Sequence, residues 1–177
     1  MVNIRRLRDD DKDRIVKIAP RAFMGMGLAR LSIDKTLPKG SVKRAYEREV
    51  EGYIEKALRG EGDIKFLVAE EDGLPVGYIV LGVSKERTEI FGFKWGMIVS
   101  LAVDPDWWGK GIGTKLVEEG LKQLRDMGVE YVEVFTDQNN IAAIRTYEKN
   151  GFRVIYSGIL LSQYLETIPQ GKKQINN

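Results

Sequence analysis

Three structural signals follow one another without a gap between Trp95 and Val117, and together they limit how this chain can fold. Trp95 to Val103 is apolar and β-branched, the composition of a largely buried strand. Asp104-Pro105-Asp106 stops it, since proline has no N–H for a ladder. After Trp107 and Trp108, the glycines 109, 111 and 113 let the backbone turn tightly and approach a ligand. An amphipathic helix follows directly, with Leu116, Val117, Leu121, Leu124 and Met127 near one face. A glycine loop at a helix N-terminus offers unpaired N–H groups and the positive dipole end, which suits a phosphate.

Two common phosphate loops do not match. The P-loop needs G-x-x-x-x-G-K-[ST], whereas Gly113 is followed by Thr114-Lys115 in the wrong order. The dinucleotide fingerprint G-x-G-x-x-G fails on spacing, because the glycines here run G-x-G-x-G. Lys110 and Lys115 flank the glycines and argue against a turn with no ligand.

Composition narrows the chemistry. There is no cysteine and no histidine, so thiol nucleophiles, thiolate metal sites and imidazole bases are excluded. Acid–base work falls to Asp, Glu, Tyr, Lys or water, and no metal site is expected. A net charge of +2 does not point to nucleic acid, and no apolar run is long enough for a bilayer. Met1 to Arg6 lacks the apolar segment of a signal peptide, so the expected location is the cytoplasm. The 177 residues read as one domain over 1–168 with a polar tail over 169–177.

Periodicity gives the rest of the order. Val2–Leu7 reads as a strand, and Asp9-Asp10-Asp11 caps a helix that Pro20 should kink or end. Met24 to Gly27 is a core-packing loop or part of a substrate entrance. Ser41 can cap a second helix running to Leu58. Strands at 64–70 and 76–83 flank a hairpin turn at Glu71-Asp72-Gly73, and Ser84–Glu89 reads as a charged connection. Phe91, Phe93 and Trp95 alternate onto one side of the central strand, as core or as substrate contact. A strand at 131–136, a helix at 141–150 and strands at 152–156 and 159–164 complete the order βααβββαβαββ.

This order, with two motifs, resembles the GNAT superfamily of acyl-CoA N-acyltransferases. The first motif, [Q/R]-x-x-G-x-[G/A], aligns with Trp108 to Gly113: both glycines match, and Trp108 stands where Gln or Arg is usual. The second, N-x-x-A-x-x-x-Y-x-x-x-G-F, is met by Asn140, Ala143, Tyr147, Gly151 and Phe152. The resemblance implies an α/β (α+β) fold with a mixed, mostly antiparallel sheet of about seven strands and about four helices. It further implies acetyl-CoA as co-substrate. Leu101, Ala102 and Val103 would pair with the pantetheine arm. Trp108, Gly109, Lys110, Gly111, Ile112, Gly113 and Thr114 would hold the pyrophosphate, and Asn140 would bond the arm. Tyr147 would protonate the leaving thiolate, a role that suits a phenol of pKa about 10 facing a thiol of about 8.5.

Many relatives carry a glutamate on the central strand to deprotonate the amine, but this strand presents Trp95, Met97 and Val99 there. Glu89, Glu133 and water stay open as the base. The acceptor is a primary amine on a small molecule or a peptide N-terminus, selected by residues 23–41 and 159–164. Neither nucleic acid nor membrane is an expected partner, and a homodimer stays open. The alternative is a CoA-binding regulatory or interaction module of the same fold with little turnover.

Overall fold

The structure is a computed structural model and describes residues 1–24 and 40–158. Five strands form one sheet in the order β1-β2-β3-β4-β5: β1 (Asn3–Arg6), β2 (Lys65–Glu71), β3 (Leu74–Val83), β4 (Trp95–Val103) and β5 (Tyr131–Val134). The first four pair antiparallel and β5 pairs parallel to β4. The helices are α1 (Lys12–Met24), α2 (Ser41–Leu58), α3 (Lys85–Phe91), α4 (Ile112–Asp126) and α5 (Ile141–Lys149). The mixed α/β class is as expected, with its details corrected below.

Strand alternation divides the core in two. One face of β2 and β3 packs Leu67, Ala69, Ile79 and Leu81 against Leu116, Val117 and Leu124 of α4, with Tyr147 of α5 in the same cluster. The other face packs Phe66, Val68, Tyr78 and Val80 against Ile15, Ile18 and Ala22 of α1 and Val50 and Ile54 of α2. β3 runs through the middle, and its residues Pro75 to Gly82 are all buried. The β2–β3 turn has φ of +49° at Asp72 and +79° at Gly73, the pair of positive φ values that an Asp-Gly hairpin supplies.

Several local expectations are corrected. Pro20 does not end α1, which continues to Met24. A missing N–H costs about 3 kcal/mol, and the fully buried Ile15, Ile18, Ala19 and Ala22 outweigh it. Gly40, at φ +78°, precedes α2 as its cap residue, and Ser41 begins the helix without capping it. Of the three aspartates only Asp11 caps, accepting from the Arg8 amide at 2.8 Å. The charged connection after β3 is α3, capped by the Ser84 hydroxyl and closed by Gly92 at φ +74°. Residues 152–156 are described and are not a strand: Val154, Ile155 and Tyr156 are exposed and pair with no neighbour among the described residues. The expected strand at 159–164 and the loop at Met24–Gly27 beyond Met24 lie outside the described residues. The count is therefore five strands and five α-helices among the described residues, against about seven and about four.

Candidate functional site

β4 and β5 pair only from Trp95↔Tyr131 to Ile98↔Val134 and then part. β3 follows β4 to Val103, with Val99 as an extra residue in its register. Among the described residues, β4 beyond Ile98 thus has an open edge on the side that β5 leaves. The Asp104 amide donates to Val76 of β3 at 2.9 Å, so alternation turns the backbone groups of Val103 and Leu101 outward to the open edge. Those of Ala102 face Tyr78 on β3 instead. The backbone groups of Leu101 and the Val103 amide therefore face the open edge, while the Val103 carbonyl is engaged by Trp108 and the Ala102 backbone is turned to β3.

The loop beyond β4 is a run of unpaired donors. Asp104 caps a short 3₁₀ turn over Pro105–Trp107. Gly109 and Gly111 then take φ of +77° and +74°, and Gly111 is the residue that precedes α4. No protein group among the described residues accepts from the amides of Gly109, Lys110, Gly111, Ile112, Gly113 or Thr114; the first amide bonded into the helix is Lys115, to Gly111 at 3.1 Å. Among the described residues a Cβ on Gly109 or Gly111 would meet nothing within 4 Å, so nothing described there fills the space over the loop. Gly113 differs from the other two. It has ordinary helical backbone in the first turn and lies beside Thr146 of α5. The observed donors and the open space fit an anionic diphosphate at a helix N-terminus.

Side chains around the loop are fixed by one another. Trp108 is exposed, and its indole Nε1 donates to the Val103 carbonyl at 2.7 Å. Its single donor is therefore engaged by the protein. The Lys110 ammonium lies 4.0 Å from the centroid of the Trp107 ring, a cation–π pair at the mouth of the loop. Beneath them Asp104 is fully buried and accepts from Arg14 at 2.6 Å and Arg21 at 2.9 Å, which fastens α1 to the end of β4. Sequence reading treated Asp104 only as a strand stop and passed over both arginines, because no local pattern links partners 90 and 83 residues apart.

α5 supplies the other two expected residues. Asn140 caps the helix, its Oδ1 accepting from the Ala143 amide at 3.1 Å. The residue is buried, and its Nδ2 has no partner among the described residues. Tyr147 is buried to a similar degree with its ring edge-on to Phe152 at 5.7 Å between centroids. Burial alone pushes its phenol well above the ordinary tyrosine value, and the hydroxyl has no hydrogen-bond partner among the described residues. A hydroxyl so placed is protonated at neutral pH and free to donate.

The base candidates separate. Glu89 is exposed on α3 without an ion pair among the described residues. Glu133, opposite Met97 in the β4–β5 register, accepts from Arg87 at 3.0 Å. The aromatic row holds in part: Phe91 ends α3 and Phe93 precedes β4, yet both rings pack on Trp95. Among the described residues no group of three or more His, Cys, Asp or Glu side chains could hold a metal ion. No helix there is long and apolar enough to cross a membrane.

The sequence profile of the acetyltransferase (GNAT) family matches residues 25–152, and the chain belongs to that family. Among curated relatives, a mycothiol acetyltransferase of Propionibacterium freudenreichii is 24% identical over 163 residues, covering 86% of this chain and 43% of the relative. That of Sanguibacter keddieii is 44% identical over 87 residues, covering 49% of this chain and 27% of the relative. The chain thus spans less than half the length of these relatives. Among solved structures, PaiA N-acetyltransferase of Thermoplasma acidophilum in complex with coenzyme A has a TM-score of 0.67 at 21% identity, covering 87% of this chain and 91% of its own. Glucosamine-6-phosphate N-acetyltransferase of Arabidopsis thaliana has a TM-score of 0.60 at 22% identity, covering 94% and 99%. At these identities the likeness to solved structures establishes the fold.

Proposed function

We propose that this chain transfers an acetyl group from acetyl-CoA to a primary amine, with both bound at once. The observation that carries the reading is the alignment of the amide loop from Gly109 to Thr114 with the open edge of β4. The loop amides would hold the diphosphate. The outward groups of Leu101 and the Val103 amide would pair with the arm as a neighbouring strand would. From Val103 back to Ile98 the strand covers roughly 16 Å at about 3.3 Å per residue, so the arm would end where β4 and β5 part. The Asn140 Nδ2 can donate to the same arm. The family's presence of bound CoA, as in the Thermoplasma structure, supports this assignment.

The molecule held there would supply an acetyl thioester. The chain's own contribution is to align it, to exclude water by the packing of α4 and α5, and to hold a proton at the Tyr147 hydroxyl. As the amine nitrogen bonds to the acetyl carbon, the carbon–sulfur bond breaks and the sulfur takes that proton. The amine's own proton leaves to water, since Glu133 is held by Arg87 and Glu89 stands on α3. The strand's lack of a carboxylate favours a second reading, a CoA-binding module with little turnover. A panel of amines and peptides, monitored for free CoA thiol, separates the two. The cysteine-free protein adds no thiol of its own. Release of CoA thiol with one acceptor establishes the enzyme, and stabilisation by CoA without release from any acceptor selects the module.

A further inference from the structure

The face of the β4–β5 fork opposite Tyr147 has its own chemistry. Val132 and Val134 turn toward the α4 side of the sheet with Ile98, so Tyr131 and Glu133 turn the other way, with Trp95 and Met97. On that face the Trp95 indole touches Tyr131 at 4.3 Å and Phe91 at 4.7 Å between centroids. The Arg87 guanidinium carbon lies 5.1 Å from the Trp95 ring centroid, and one of its nitrogens donates to Glu133 at 3.0 Å. A cation thus sits between an aromatic face and a carboxylate, next to the point where the strands part. That cation comes from α3, a short helix whose seven residues include none that is buried.

We propose that Trp95 and Glu133 form a cation seat for the acceptor, which Arg87 fills when no acceptor is bound and gives up to a second positive charge on the substrate. The inference rests on the transferase reading and names its acceptor class: a diamine, or a peptide carrying a lysine near its N-terminus. Spacing sets the size. Trp95 lies three residues behind Ile98 and Glu133, opposite Met97, only one, so the seat is roughly 3–10 Å back from the fork where the reacting nitrogen would be. The charge in the seat keeps its proton, while the nitrogen at the fork must lose one. Only an acceptor with two basic groups at this separation satisfies both positions. Arg87 is 45% exposed and Glu133 24% exposed, so the side chain that must move is the one nearer water.

The test compares α,ω-diaminoalkanes of increasing length with alkylamines of the same lengths. The expected result is a higher kcat/KM for diamines, with an optimum length. Arg87→Gln should widen the diamine-to-alkylamine ratio, because the seat is vacated. Glu133→Gln should narrow it by about 10–150-fold, the effect of losing one charged hydrogen bond. A ratio unmoved by Glu133→Gln overturns the seat, whether or not overall turnover falls, since a catalytic base would act on both series alike. Binding is read separately by titrating diamines into Arg87→Gln and following tryptophan fluorescence. A change that disappears in the Trp95→Phe form of that variant supports the seat, and a change that persists overturns it. Should neither series be acetylated, the panel of amines and peptides decides the transferase reading, and the fluorescence titration alone decides whether the seat exists.

Discussion

The Trp108 indole donates its only hydrogen to the carbonyl of Val103, 2.7 Å away, and so ties the entry of the glycine loop to the last residue of β4. Many family members have Gln or Arg here, with donors to spare for an anion, but this indole has none left. Trp108→Phe should therefore act on loop geometry rather than on charge. Affinity for CoA should fall by less than about tenfold, the worth of one hydrogen bond. The dependence of that affinity on salt should not change. Calorimetric titration at two ionic strengths measures both, and a flatter salt dependence would show that the side chain contributes to charge recognition.

Asp104 binds the same loop from below. It is fully buried and accepts from Arg14 and Arg21, while both arginines reach solvent. Asp104→Ala removes the buried charge and leaves cations that water can solvate, which places the cost near the low end for a buried ion pair, about 3 kcal/mol. In a chain of this length the melting temperature should drop by about 6–12 °C. A shift within error would mean that the ion pairs of Asp104 do not help to hold α1 to β4.

Gly111 provides a cleaner test of the loop. With φ at +74° and open space around it, a valine there is disfavoured by backbone conformation and not by collision. Gly111→Val should stay folded and lose the thermal stabilisation by CoA, about 2.7 kcal/mol at one hundred times the dissociation constant. Full stabilisation in the variant would remove the loop from the binding site.

Tyr147→Phe keeps the ring against Phe152 and deletes one hydroxyl. If that hydroxyl protonates sulfur, kcat should fall by about 10²–10⁴-fold with little change in affinity for acetyl-CoA. Burial raises the phenol's pKa, so the acid form persists throughout the range below the ordinary tyrosine value. Tyr147 should therefore contribute no descending limb to the kcat–pH profile below about pH 10. Equal kcat in the two proteins would exclude the acid role.

Local signals gave a good account of the centre of the fold. The β4 boundary at Val103, the Asp-Gly hairpin and the start of α4 each depend on residues within a few positions of one another. Helix α3 was legible too, in its Ser84 cap and Gly92 stop, but its charge made it look like a connection. Pro20 does not end α1 because the burial of that helix is tertiary. Neither the fork nor the cluster around Trp95 can be read from periodicity, since where two strands part depends on register, and Arg87 meets Glu133 only across 46 residues. The Ala102 backbone shows the same limit: composition places it on the strand, but only pairing with β3 reveals which way its N–H points.

The parting of β4 from β5 also has a kinetic meaning. Among the described residues β5 is fastened by four register pairs to one neighbour, whereas β3 is paired on both sides from Gly77 to Leu81. β5 should therefore open on its own, exchanging the amides of Tyr131 to Val134 sooner than those of Gly77 to Leu81. A ligand lying in the fork would do the work of an absent strand, with each bond to Leu101 or Val103 slowing that local opening. The slowest-exchanging part of the sheet should then extend outward from β3 as cofactor is added. On the proposed reading the cleft is in this sense an unfinished edge of the fold, which its occupant would complete.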